Sequence, residues 1–196
     1  MKNRLLLGIL FLIFIFGGFE IFSQVYYLNE LETCRFIESE IFENVPKSTL
    51  DEMCSIQFSI KVPSEPTQEN IPNQHNEYVN INSFGFRGAE ISKEKPENVY
   101  RIIMLGGSTL FGYGATSDET TISGFLQKKF ETTDSDFKVE VINAGSSGAY
   151  SKTETLYVKH KLLDFDPDLI IVYDGWNDSR IPYTSHIGER GLAGQL

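Results

Sequence analysis

The sequence predicts an α/β fold built on a parallel sheet, and three observations carry that reading. Residues 99–105, 138–143 and 169–173 are short apolar or alternating runs with strand composition. Each runs into a loop that contains glycine, and the stretches between them place apolar residues at helical spacing. Strand, helix, strand, helix, strand in this order requires right-handed parallel crossovers. The residues before 99 differ in character, which divides the chain into a membrane segment (1–24), an extracytoplasmic linker and lead-in (25–98) and the α/β domain (99–196).

The chain has 196 residues, 41% of them hydrophobic and 13% aromatic, enough for one packed domain with an appendage. A net charge of -10 without a basic patch argues against a nucleic-acid partner. With two cysteines, Cys34 and Cys54, no Cys/His zinc pattern can be assembled. Neither a metal nor a cofactor is expected.

In chain order, Lys2 and Arg4 precede an apolar run over 5–22 that only Glu20 interrupts. At about 1.5 Å per helical residue this run reaches about 27 Å, close to the hydrocarbon thickness of a bilayer. The positive residues assign the short N-terminal side to the cytoplasm, so the rest of a single-pass protein lies outside. An uncleaved anchor is favoured over a removed signal, because neither Gly17-Gly18-Phe19 nor Ile21-Phe22-Ser23 offers a small-x-small cleavage site.

Residues 25–98 are polar, with a short helix expected around 28–42. Outside the cytoplasm Cys34 and Cys54 could form a disulfide, and the bridge and two free thiols both stay open. Residues 61–76, with Pro63, Pro66 and Pro72, read as linker. Residues 78–82 alternate like a short strand, and Asn82-Ser83-Phe84-Gly85-Phe86-Arg87-Gly88 follows as a turn. Packing of this lead-in on the next domain is favoured, with substrate contact by Arg87 as the sharper alternative.

The first buried strand, 99–105, stops at Gly106-Gly107-Ser108, which leaves Ser108 beyond its C-terminal end, where open α/β sheets hold their chemistry. Three familiar glycine motifs do not fit. A P-loop lacks its lysine because Tyr113 follows Gly112; Ser117 stands where a dinucleotide fingerprint needs its third glycine; Leu110 stands where a nucleophile elbow needs glycine. Ser117-Asp118-Glu119 opens a helix carrying Ile122, Phe125, Leu126 and Phe130. Residues 138–143 read as a half-exposed edge strand leading into Asn143-Ala144-Gly145-Ser146-Ser147-Gly148. Ser151 and Glu154 suggest a capping box for a helix to about 163. The third buried strand, 169–173, ends in Asp174-Gly175-Trp176-Asn177-Asp178.

Three loops thus leave the C-terminal ends of three adjacent strands about 4.8 Å apart. They carry what acyl transfer needs: the hydroxyl of Ser108, the backbone N–H groups of Ser108 and Gly148, and the side-chain amide of Asn177.

Gly106-Gly107-Ser108-Thr109, Asn143-Ala144-Gly145-x-x-Gly148 and Gly175-x-Asn177-Asp178 together resemble the SGNH (GDSL-type) hydrolases over about 99–180. The Asn82 to Gly88 run is similar to the lead-in of some membrane-anchored members. The resemblance implies a flavodoxin-like three-layer α/β/α sheet of order 2-1-3-4-5, of which this chain supplies the N-terminal half with three parallel strands. It implies Ser108 as nucleophile and Ser108, Gly148 and Asn177 as the oxyanion hole. Gly107 departs from the usual Asp of Gly-Asp-Ser. The family's catalytic His, in a late Asp-x-x-His, has no counterpart here: His75 precedes the domain, His160 lies on a crossover helix and His186 has Tyr183 in place of the Asp. The domain is therefore expected to be incomplete. The function expected is a serine esterase acting on small-molecule, lipid or glycan esters outside the cytoplasm, its base not present in this chain. Alternatives are an O-acyltransferase working on cell-surface glycan and a non-catalytic glycan- or lipid-binding domain.

Overall fold

The structure, a computed structural model, describes residues 2–31, 39–62, 66–133 and 137–180. The chain divides into two compact units, Met1–Asn44 and Val45–Leu196.

The first unit is a long helix, α1 (Lys2–Leu31), and a 3-10 turn at Glu40–Phe42. Leucine, isoleucine and phenylalanine without proline favour a continuous helix. Every side chain described in α1 is exposed, Phe14 by 79% and Phe11, Phe16, Phe19 and Phe22 by nearly as much. Among the described residues no helix is long and apolar enough to cross a membrane. In α1 the described side chains are those at 8 and 11–24, fewer than the roughly 20 residues of a span. The helix expected at 28–42 falls partly on 32–38, outside the described residues.

The second unit opens with α2 (Lys47–Phe58), which composition did not announce. Its buried face is Leu50, Met53 and Gln57, an i, i+3, i+7 stripe that ends in a polar residue. The Gln57 amide donates to Ala115 O at 2.7 Å and accepts from Gly114 N–H at 2.7 Å, so α2 grips the loop that follows Gly112. Cys54, on this helix, is disulfide-bonded, and Cys34 lies outside the described residues.

A short antiparallel hairpin follows, β1 (Gln74–His75) with β2 (Asn80–Ile81). The Asn82 carboxamide then accepts from the N–H groups of Phe84 and Phe86, both at 3.0 Å, and so folds the Asn82 to Gly88 turn. That turn buries Phe86 in the core and brings Arg87 N–H to Asn143 O at 3.0 Å. Residues 45–98 are thus part of the same compact unit as the sheet.

The sheet is parallel, with β3 (Val99–Gly106) between β4 (Lys138–Asn143) and β5 (Leu169–Tyr173). The edge position expected for 138–143 is what the structure has. Because β3 is central, its alternation separates two cores. Ile103 and Leu105 pack with Phe86, Tyr157, Leu162 and Phe165 on one face, where α5 (Ser151–His160) lies. Ile102 and Met104 pack with Leu110, Val139, Leu126 and Phe130 on the other, beneath α4 (Ile122–Glu131). Between β3 and α4 the chain makes one short helical turn, α3 (Ser108–Phe111).

Three local expectations are corrected. The segment expected to start a helix at Ser117 makes a 3-10 turn over Asp118–Thr120, and α4 begins after the cap Thr121, whose hydroxyl accepts from Gly124 N–H at 3.0 Å. The box expected of Ser151 and Glu154 is shifted back by one residue: Tyr150 N–H donates to Thr153 Oγ1 at 3.1 Å, while Glu154 is buried. Finally, 169–173 is not a buried strand among the described residues. It is the outer strand beyond β3, so one edge is unpaired there and Val172 and Tyr173 are more than half exposed.

Candidate active site

The segment bearing Ser108 is shaped by β3 ending at Gly106, where a Cβ would stand 2.4 Å from Tyr173 O. Gly107 caps α3 with an ordinary negative φ, so conformation does not demand glycine there. The Asn177 side chain lies close by: a Cβ on Gly107 would stand 2.7 Å from Nδ2, so that amide would have to shift to admit one. That amide donates to Ala149 O at 2.7 Å. The third loop therefore lays its Asn177 side chain against the first loop and fastens it to the second.

Ser108 is half-buried at the first position of α3, where backbone N–H groups have no partner inside the helix. Its hydroxyl makes no hydrogen bond to another described residue. Gly148 is exposed with φ at +74, a left-handed conformation that glycine takes without strain, and this orients the second loop with no side chain over its N–H. Asn143 joins the first two loops: its Oδ1 accepts from Gly145 N–H at 2.9 Å and its Nδ2 donates to Leu110 O at 3.1 Å. All three residues expected at the site thus lie on mutually fastened loops.

Arg87 does not face the site. Its Nε donates to Asp118 at 2.8 Å, its Nη1 to Phe111 O and Gly112 O, and its Nη2 to Tyr78 O at 2.8 Å. The guanidinium is consumed in holding the C-terminal end of α3, which is the packing role and not substrate contact. Burial lowers its pKa and the hydrogen bond to Asp118 opposes that shift.

Beneath the third loop three carboxyl groups meet. Asp178 accepts from Ser151 N–H at 3.2 Å and from its hydroxyl; burial raises its pKa, and these hydrogen bonds outweigh the burial and hold it low. Burial raises Asp174, with Asp178 adding to the effect. Glu154, 3% exposed, is pushed up to about 8 by burial and by Asp174 beside it, so it carries a proton at neutral pH. No group of three or more His, Cys, Asp or Glu side chains suited to a metal ion occurs among the described residues.

No described histidine reaches Ser108. The Nδ1 of His75 is bonded to Asn80 Oδ1, His160 is exposed at the end of α5, and His186 lies outside the described residues. The residues that sequence reasoning passed over are Gln68 and Asn70, in the stretch read as linker. Asn70 donates to Gly85 O at 3.1 Å and Gly145 O at 3.0 Å.

Comparison of the sequence with protein-family models found no match, and comparison with curated proteins found none either. The functional reading rests on the residues and their arrangement.

Proposed function

We propose that this chain carries the acyl-ester site of an SGNH-type serine hydrolase, with a flavodoxin-like three-layer arrangement around its parallel sheet. The observation that carries the proposal is the Asn177 amide, seated against Gly107 and bonded to Ala149 O, which gathers all three loops around Ser108. In the proposed reaction Ser108 Oγ attacks the ester carbonyl carbon and gives its proton to a base. The carbonyl oxygen becomes an oxyanion held by Ser108 N–H, Gly148 N–H and Asn177 Nδ2. The alkoxide then leaves with a proton, and water releases the acyl group by the same steps.

The protein is further proposed to act outside the cytoplasm, held to the membrane by α1. Lys2 and Arg4 before the apolar run, the exposed phenylalanines of α1 and the disulfide at Cys54 support that location.

Because no described histidine serves Ser108, added imidazole is the informative reagent. In detergent, the full chain should hydrolyse p-nitrophenyl acetate at a rate that rises with imidazole beyond the reagent's own reaction, and Ser108→Ala should remove that increment. An increment that survives Ser108→Ala would end the proposal. Loss of the imidazole dependence in the parent, with activity abolished by His186→Ala, would instead identify His186 as the base.

A further inference from the structure

Glu154 is a buried acid that the ester reaction leaves unused. It stands three residues after Ser151 on α5, hence on the same face of the helix, and among the described residues its buried Oε1 has no hydrogen-bond partner. Its carboxyl meets Asp174, the first residue after β5, and the carboxylate of Asp178 acts on it too. Farther along α5, beyond Tyr157, the charged groups Lys161 and Glu69 are paired with each other. An ionised Glu154 would face two other carboxylates and leave an oxygen buried without a donor. The group is therefore held as the neutral acid, which donates to Asp174.

The two aspartates flank the oxyanion amide, since only Gly175, Trp176 and Asn177 lie between them. This loop rests on the entry to α5 at two points. Asn177 Nδ2 donates to Ala149 O at 2.7 Å, and Asp178 accepts from Ser151 N–H at 3.2 Å and from its hydroxyl. Whatever draws Asp174 and Asp178 toward α5, or drives them from it, therefore carries Asn177 along.

We propose that Glu154 is a positioning residue for the oxyanion hole: its carboxyl proton, donated to Asp174, keeps the third loop seated on α5 with Asn177 in place. The effect on turnover rests on the hydrolase reading above, whereas the movement of the loop does not. Burial first, then Asp174 and Asp178, raise Glu154 to about 8. As pH rises past that value the proton leaves, three carboxylates oppose one another, and the loop parts from α5.

Trp176, the chain's one tryptophan, is 71% exposed beside Asn177 and reports the loop directly. In the full chain in detergent its fluorescence should titrate with a midpoint at about 8. Glu154→Gln keeps the length and a neutral donor and should abolish this transition; Asp174→Asn removes the charge that Glu154 faces and should move it to lower pH. In the imidazole-supplemented assay, with the free base held constant, kcat of the parent relative to Glu154→Gln should fall about tenfold by one pH unit above the midpoint, where about a tenth of Glu154 keeps its proton. That fall should vanish when both proteins also carry Asn177→Ala. Fluorescence that stays flat in the parent, or a midpoint unmoved by Asp174→Asn, overturns the proposal and leaves the Ser108 chemistry standing. A fall in kcat that persists with Asn177→Ala overturns the positioning role, because Glu154 would then act elsewhere in the fold. Hydrolysis indifferent to Ser108→Ala overturns the hydrolase reading and, with it, the effect of Glu154 on turnover.

Discussion

At the scale of single residues, Gly107 and Asn177 pack closely, a Cβ on the glycine standing 2.7 Å from the asparagine amide. Asn177→Ala should lower Ser108-dependent turnover by about 10² to 10³ with little change in melting temperature, because one oxyanion donor is worth that much. Stopped assays alongside thermal melts would show it, and a loss below about threefold would contradict the role. Glu154 makes a separate prediction. Its carboxyl is raised from the ordinary 4.5 to about 8, so between those values the folded protein holds a proton that the unfolded chain releases. Stability should therefore be greatest on the acid side and fall as pH rises through that window, and Glu154→Gln should flatten the decline in a melting-temperature series. A series unchanged by the substitution would contradict the shift.

The placement of Ser108, Gly148 and Asn177 on loops beyond strand ends was legible in the sequence because each loop follows a strand-like run. Gln68 and Asn70 were not, because their partners Thr153 and Gly145 lie 85 and 75 residues away. Composition around 61–76 reports prolines and polarity but not where the backbone is fastened.

At the scale of elements, legibility followed periodicity. The two-faced burial of β3 could be read from its continuous apolar run, and the edge position of β4 from apolar alternation. The helix α2 could not, since a glutamine completes its buried stripe, and the burial of β5 was overestimated because an apolar run does not say whether both its faces are covered. Glu154 deceived differently: acidic residues three positions after a serine usually cap, but here Ser151 N–H donates to Asp178, Thr153 takes the N–H of Tyr150, and the Glu154 carboxyl turns inward. The clasp at Arg87 carries the strongest element-scale prediction. Replacing it with methionine leaves Asp118 and three backbone carbonyls short of a donor, which should cost about 3–5 kcal/mol in urea unfolding. A cost below about 1 kcal/mol would show that the lead-in does not hold α3.

At the scale of the whole molecule, an exposed aromatic helix and a disulfide-bonded Cys54 accord with the proposal of an anchored protein working outside the cytoplasm. Membrane fractionation and protease shaving of intact cells should find the chain in the membrane, with residues after Gln24 cleavable from outside. A soluble mature form beginning near Gln24 would replace the anchor with a removed signal. The central claim, however, is that Ser108 is a nucleophile in an oxyanion hole, and intact-mass spectrometry after treatment with a fluorophosphonate in imidazole buffer tests it most directly. The account predicts a single adduct that maps to the peptide bearing Ser108 and is lost in Ser108→Ala; equal labelling of the two proteins would contradict it.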